Sequence, residues 1–309
     1  MEHHNIVIIG GGPSGLALAL ELHELAIKDV VVLEREQEAG GIPRHCGHLG
    51  FGIDNKSRFL SGPKFATKLC ELARDLDVRT ASTVLEFTMR GTMRLQSELG
   101  ISEMSATRII LATGTRESSR AARLIGGNRV SGVLNTGTFQ QLVYLKGKRP
   151  FSNPIIVGGE WVSFSNLLTC RHAKIKPVCM ITEDSKLDAP AYFGLGAKLA
   201  FGVPIRRNTK LLAINGNKHV ESIIVEVGDR KQTIACDGVI ISGKFRSENA
   251  LYSSGFIEQE NTTPKITEFF RTSKPNIYAA GNVLGHLETA GACVLQGRKL
   301  AAMIASDMK

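Results

Sequence analysis

The chain has 309 residues, 43% hydrophobic and 22% charged, with 38 Lys plus Arg against 29 Asp plus Glu and a formal net charge of +9. This composition excludes a disordered chain, a collagen-like repeat and a disulfide-stapled miniprotein, and the length suits two domains or one large α/β unit. The basic residues are scattered and aromatic residues make up only 6%, so the charge reads as a solvated surface or a bias toward anionic partners, and no nucleic-acid platform is expected.

No run approaches the roughly 18 consecutive apolar residues of a membrane span, so no transmembrane segment is expected. No basic and apolar leader precedes the first strand at Asn5, which argues against a signal peptide. Cysteines stand at 46, 70, 170, 179, 236 and 293, and no two of them form C-x-x-C. That spacing disfavours a zinc ribbon and an adjacent redox dithiol. Several lie in apolar stretches, as buried free thiols of a reducing compartment do, and a cytoplasmic location is expected.

The first chemical signal lies at the N-terminus. Asn5-Ile6-Val7-Ile8-Ile9 is a β-branched run that reads as a strand buried on both faces. Gly10-Gly11-Gly12-Pro13-Ser14-Gly15 follows, and Leu16 to Ala26 reads as a helix. Strand, glycine turn and helix form the setting of a phosphate cradle. Gly10 makes the tight turn, Gly12 lets the backbone approach a pyrophosphate, and Gly15 lets the helix pack on the strand. The helix N-terminus supplies N–H groups and positive dipole. A second strand, Val30 to Leu33, ends in Glu34, 24 residues after Gly10 and next to Arg35. An acid there accepts hydrogen bonds from the ribose of an adenosine.

Next comes Gly40-Gly41-Ile42-Pro43-Arg44-His45-Cys46-Gly47-His48-Leu49-Gly50-Phe51-Gly52, dense in glycine, histidine and cysteine. Three ligand-type residues within four positions rarely share one tetrahedral centre, so no metal is expected. Arg108 to Leu111 is a strand entering the small-residue turn Ala112-Thr113-Gly114.

The middle of the chain repeats this plan. Pro154-Ile155-Ile156-Val157 leads into Gly158-Gly159-Glu160-Trp161-Val162-Ser163, a helix to about His172 and a strand Val178 to Ile181, with Glu183 near the place of Glu34. Each copy then carries strand-rich sequence, Thr83 to Leu111 and Lys210 to Ile241, and Ile240-Ile241-Ser242-Gly243 echoes residues 111–114. The duplication predicts an α/β fold of two Rossmann-like, three-layer domains, the second inserted into the first. The expected boundaries are 1–116 with 244–309, and 117–243. In the second fingerprint Glu160 replaces the middle glycine, putting a carboxylate where phosphate oxygens need bare backbone. Either this domain no longer binds NAD(P), which is the favoured reading, or the loop runs differently and Glu160 points away. Late in the chain, Ile277-Tyr278-Ala279 enters Ala280-Gly281-Asn282, and a helix is expected from about Thr289 to Met308.

With these segments in place the chain resembles flavoproteins that have two dinucleotide-binding domains, the thioredoxin-reductase-like group. The resemblance implies that the first fingerprint binds FAD, that Ala112-Thr113-Gly114 lies beside it, and that Gly281-Asn282 takes the place of a late Gly-Asp turn holding the ribityl chain and diphosphate. Asn keeps a carbonyl acceptor there but loses the charge. The implied cofactor-contacting set is Gly10, Gly12, Pro13, Ser14, Gly15, Glu34, Arg35, Gly41, Ala112, Thr113, Gly114, Gly281, Asn282, Thr289 and Ala290. The Pro43-to-His48 run, with Gly281-Asn282-Val283-Leu284 and Glu288-Thr289-Ala290-Gly291, also resembles the FAD-binding subunits of heteromeric amine dehydrogenases and oxidases. These include the α subunits of opine oxidase and hydroxyproline dehydrogenase, and hydrogen cyanide synthase.

In related flavoproteins the stretch after the double glycine runs past the flavin ring. His45 or His48 is then a candidate proton donor or acceptor, Cys46 a candidate nucleophile, and Arg44 a candidate holder of a substrate carboxylate or of reduced anionic flavin. The competing readings are structural hydrogen bonds in a tight loop, a buried thiol and a surface salt bridge. The expectation is an FAD-dependent oxidoreductase without a redox-active cysteine pair. It would oxidise an amine or amino-acid-type small molecule, or relay its electrons, beside a second flavoprotein subunit. The alternatives are an NAD(P)H-driven flavin reductase serving a protein partner, and a non-catalytic FAD-binding organiser.

Overall fold

The computed structural model describes residues 1–52 and 60–308. The chain divides into two compact units, one of Met1–Arg44, Leu49–Arg116 and Phe245–Lys309, the other of His45–His48 and Glu117–Lys244.

The first unit opens with β1 (Glu2–Ile9), whose Ile6, Val7 and Ile8 are fully buried. Helix α1 (Pro13–Glu24) begins three residues before the position expected from the sequence. Proline suits the first helical turn, where its missing N–H costs nothing and its φ is preset. Strand β2 (Val30–Leu33) follows. Helix α2 (Gly62–Leu72), which the sequence pattern did not mark, buries Phe65, Ala66 and Leu69 at helical spacing. Then come β3 (Asp77–Arg79), β4 (Thr83–Phe87), β5 (Thr92–Ser97) and β6 (Gly100–Leu111). Residues 108–111 are thus only the end of a twelve-residue strand. The β4–β5 turn falls at Arg90-Gly91, and a second turn at Glu98-Leu99 joins β5 to β6.

The inserted segment gives β7 (Val133–Asn135), α3 (Thr136–Gln140), β8 (Pro154–Val157), α4 (Trp161–His172), β9 (Cys179–Ile181), α5 (Ala191–Phe201) and β10 (Ile205–Arg206). It continues with β11 (Thr209–Gly216), β12 (Val220–Val227), β13 (Arg230–Ala235) and β14 (Gly238–Ile241). The parallel sheet runs β7-β14-β8-β9-β10, and β11-β12-β13 form an antiparallel meander. The β-branched strands explain the core. Ile155, Ile181 and Val239 pack with Ile214 and Ile223 of the meander, while Ile156, Met180 and Ile240 face Phe139, Phe164 and Leu167. Alternation along each strand therefore feeds two opposite layers.

On returning, the chain forms β15 (Ile277–Ala279) and α6 (Ala290–Asp307). The first sheet is then β3-β2-β1-β6 in parallel, continued by the antiparallel β5 and β4, with β15 parallel to the end of β6. Ile6 and Ile8 pack under α1, α2 and α6, while Val7 and Ile9 face Met93, Met104 and Tyr252. Each fully buried aliphatic side chain of this kind contributes about 1.5–3 kcal/mol. Gly297 brings α6 onto α1, because a Cβ there would stand 2.3 Å from the Ser14 carbonyl oxygen.

Candidate functional site

The first cradle is built from backbone that tolerates no side chains. Gly10 has φ +115, and a Cβ on it would lie 2.4 Å from the Ala112 oxygen. The fingerprint turn and the Ala112-Thr113-Gly114 turn are therefore in contact. A Cβ on Gly15 would lie 2.0 Å from the Gly10 oxygen, which keeps α1 close to β1. A Cβ on Gly41, at φ +63, would reach the Gly12 Cα at 2.9 Å, so the double glycine folds back over the fingerprint. Gly12 is the N-cap of α1 and brings no capping side chain, which leaves the first-turn N–H groups open.

Glu34 is buried, with one carboxylate oxygen accepting from Gly11 N at 2.8 Å and the other from Glu36 N at 2.8 Å. A carboxylate offers about four acceptor directions, so two remain for ribose hydroxyls. Arg35 is exposed and stands 3.8 Å from Glu248, whose carbonyl accepts from Thr113 Oγ1 at 3.0 Å. The Ser14 hydroxyl is buried without a hydrogen-bond partner among the described residues. An orphan hydroxyl at a bare helix N-terminus, two bare glycine backbones and a half-satisfied acid together fit the diphosphate and ribose of FAD.

The late turn meets α1 at the same place. Gly281, at φ +81, would carry a Cβ 2.8 Å from the Ser14 Cβ, and its N–H donates to the Gln296 side chain. Nothing in the sequence marked Gln296. The Asn282 Oδ1 accepts from Glu288 N at 2.9 Å and from the Cys293 thiol at 3.4 Å, while its Nδ2 donates to the Glu288 oxygen at 3.3 Å. Both lone pairs of the carbonyl are engaged, which leaves the second Nδ2 hydrogen and the backbone of Asn282 for contact with a ribityl chain. Thr289 caps α6 by accepting from Ala292 N at 3.2 Å, and Ala290 is the first residue of the helix.

The second fingerprint has a different geometry. Glu160 is the N-cap of α4, and its carboxylate folds back over its own turn. It accepts from Gly159 N at 3.1 Å, Ser163 Oγ at 2.9 Å and Lys244 N at 3.3 Å. It lies so close to Gly243 that a Cβ there would stand 1.9 Å from Oε1, and a Cβ on Gly158 would stand 2.8 Å from Oε2. The carboxylate thus sits against the backbone that phosphate oxygens would approach. Glu183 is half-exposed, with Oε2 3.9 Å from Lys244 Nζ.

Two residues that the sequence left unmarked brace this turn. Arg123 donates to the carbonyls of Ser242 at 2.6 Å and Gly243 at 2.5 Å, and Glu117 accepts from Gly137 N at 2.9 Å and Gly243 N at 3.1 Å. Burial raises the Glu117 carboxyl above its ordinary range and lowers the Arg123 guanidinium below its own.

The four candidate catalytic residues divide. Arg44 belongs to the first unit and ion-pairs with Glu38 at 2.7 Å. His45, Cys46 and His48 fall with the second. Cys46 is buried and donates to the Gln140 oxygen at 3.4 Å, and Gln140 donates to Ser165 Oγ at 3.0 Å. Burial, then the charge of Glu117, pushes the Cys46 thiol up to about 12, far from the thiolate a nucleophile needs. Gly47 lies flat on Tyr144, whose ring would meet a Cβ at 2.2 Å. All six cysteines are free thiols. Among the described residues, no three His, Cys, Asp or Glu converge as metal ligands, and no helix is long and apolar enough to cross a membrane.

Two glycine-turn α/β units, one with a bare glycine turn and a buried carboxylate beside it, make a two-domain dinucleotide-binding fold, and the chain is a flavin-dependent oxidoreductase. The family model for pyridine nucleotide-disulphide oxidoreductases matches residues 4–297, and the chain belongs to that family. It is 22% identical over 342 residues to an opine oxidase subunit from Agrobacterium tumefaciens, covering all of this chain and 66% of that one. It is 25% identical over 348 residues to the soluble pyridine nucleotide transhydrogenase of Marinobacter nauticus, covering 99% of this chain and 72% of that one. The fold matches the crystal structure of T. acidophilum thioredoxin reductase with a TM-score of 0.80 at 20% identity, over 100% of this chain and 99% of that one.

Proposed function

We propose that the protein is an FAD-dependent dehydrogenase or oxidase subunit whose electrons come from an amine or amino-acid-type substrate rather than from NAD(P)H. The observation that carries this is the contrast between the cradles. The first is bare and leaves Ser14 unpaired, while the second is filled by its own Glu160 carboxylate. The first unit would hold the cofactor through Gly10, Gly12, Ser14, Glu34, Ala112 to Gly114 and Gly281. When bound, FAD supplies acceptance of a hydride and its onward release as electrons. The chain itself orients the adenosine half through Glu34 and binds the diphosphate with the first turn of α1.

Cys46, protonated and hydrogen-bonded to Gln140, takes no part in a thiol relay in this reading. Kinship with the opine oxidase subunit supports substrate oxidation within a multi-subunit enzyme, where a second flavoprotein subunit is the proposed partner. The inserted unit would then be a degenerate nucleotide domain.

The test is the visible spectrum of the purified protein, recorded anaerobically with opines and secondary amino acids, and separately with NADH and NADPH. The expected result is a yellow protein that releases FAD on acid treatment, is bleached by a member of the first group, and is unchanged by the nucleotides. A colourless protein that takes up no added FAD refutes the cofactor assignment. Fast bleaching by NADH refutes the choice of donor.

A further inference from the structure

We infer that Asn282 is a positioning residue that clamps loop 286–289, and with it the N-terminus of α6, and that an amide stands there because its partner is a carbonyl. Any effect on cofactor retention rests on the FAD reading above; the clamp itself does not.

Gly281 is held from two sides, by Ser14 of α1 and by Gln296 of α6. Asn282 reaches the other way, to Glu288. A primary amide presents one acceptor and one donor side by side. The peptide groups of Glu288 offer the complement, an N–H at 2.9 Å from Oδ1 and a carbonyl at 3.3 Å from Nδ2. The Cys293 thiol, one turn into α6, fills the second lone pair of Oδ1 at 3.4 Å. One side chain therefore ties the turn to the loop and to the helix, and the next residue along, Thr289, is the cap of α6.

An aspartate cannot repeat this pattern when ionised. One oxygen would still accept from Glu288 N, but the other would face the Glu288 carbonyl, acceptor against acceptor. A protonated aspartic acid restores the donor. The other titratable groups near the turn are Cys293 on α6 and the exposed Glu288 and His286 of the loop. The neighbouring strand Phe245–Ser247 buries Ser247 and exposes Arg246. The facing Thr263–Pro264 and the first turn of α1 carry no titratable side chain.

The experiment compares Asn282→Asp, Asn282→Ala and wild type as apoproteins, by thermal melting at pH 5 and pH 8, and then measures the FAD dissociation constant at both values. In Asn282→Asp the carboxyl is raised above its unfolded value. The variant is accordingly stable while protonated and loses stability as pH rises through the folded value. The expected Tm deficit relative to wild type is about 2–6 °C at pH 8, about a sixth to a half of it recovered at pH 5, whereas Asn282→Ala shows the same deficit at both. The FAD dissociation constant of Asn282→Asp should rise about threefold or more at pH 8 and return toward wild type at pH 5. An Asn282→Asp protein that melts like wild type at pH 8, or whose deficit is the same at both pH values, overturns the inference. Wild-type protein that binds no FAD would refute the FAD reading, while the apoprotein melts would still decide the clamp.

Discussion

Replacing Glu160 by glycine should turn the second unit into a nucleotide site. The carboxylate accepts three hydrogen bonds, from Gly159, Ser163 and Lys244, and Glu160 is only half-buried, so its loss should cost about 1–2 kcal/mol of stability. Against a phosphate charge about 4 Å away, the same carboxylate repels by about 1 kcal/mol at water's dielectric and about 4 kcal/mol near a protein surface. At about 1.4 kcal/mol per tenfold, that is a gain of about fivefold to several hundredfold in affinity. Wild type should bind NADH more weakly than about 1 mM, which corresponds to roughly −4 kcal/mol, and Glu160→Gly should reach about 2–200 μM. Arg123, which now feels the Glu160 charge, would face the phosphates instead. Trp161 is the chain's single tryptophan, 57% exposed and next to the mutated residue, so its fluorescence reports binding without any turnover. Glu183 is placed to bind a 2′-hydroxyl, so the gain should favour NADH over NADPH. Rapid reduction of wild type at micromolar NADH in anaerobic stopped flow would refute the reasoning and favour the NAD(P)H-driven reductase. If the variant gains no affinity, the domain has lost more than one feature.

Gly243→Ala should destabilise by about 2–4 kcal/mol, through its φ of +78 and a Cβ collision with Glu160; chemical denaturation should show part of this loss relieved in the double variant with Glu160→Gly. Gly10→Ala should abolish FAD retention, because its Cβ would stand 2.4 Å from the Ala112 oxygen; a flavin-replete variant would refute the cradle. Cys46→Ser should stay within about tenfold of the wild-type flavin reduction rate, or about 1.4 kcal/mol of barrier, and a loss of several orders of magnitude would make Cys46 catalytic. Burial raises the Cys46 and Cys170 thiols to about 12 and those of Cys236 and Cys293 to about 11. Unfolded thiols release their protons near pH 9 while the folded ones keep theirs. Each buried thiol thus subtracts up to about 1.4 kcal/mol per pH unit above pH 9, and urea titrations at pH 8 and 10 should show the midpoint falling.

The elements that the sequence displayed were those whose pattern is local. Val30–Leu33 was readable as a β-branched run and the β12–β13 turn at Gly228-Asp229 as a turn dipeptide, whereas Asn215-Gly216, which also reads as a turn, ends β11 and the turn follows it at Asn217-Lys218. Helix α2 went unseen because only one face is apolar and Gly62-Pro63 at its start looks like a breaker. Helix α5 went unseen because two glycines interrupt it. At the site, Gly10 and Glu34 were legible from spacing. The direction of the Glu160 carboxylate was not, since it depends on a serine three residues on and a backbone N–H 84 residues away. Likewise, the Arg44–Glu38 pair and the packing of Gly47 on Tyr144 follow from tertiary placement that no spacing encodes.

The tetrapeptide His45–His48 belongs to the second unit although its neighbours in sequence, Arg44 and Leu49, belong to the first. The chain therefore crosses between units four times rather than two, and the inserted unit is not a cassette. A graft that moved 117–244 into another scaffold would leave Gln140 without the Cys46 thiol and Tyr144 without its flat glycine partner. Recombination between relatives must exchange the two pieces together or leave a buried amide and an aromatic face uncovered. A chimera carrying only the long piece should express poorly, and adding four residues from the same donor should rescue it.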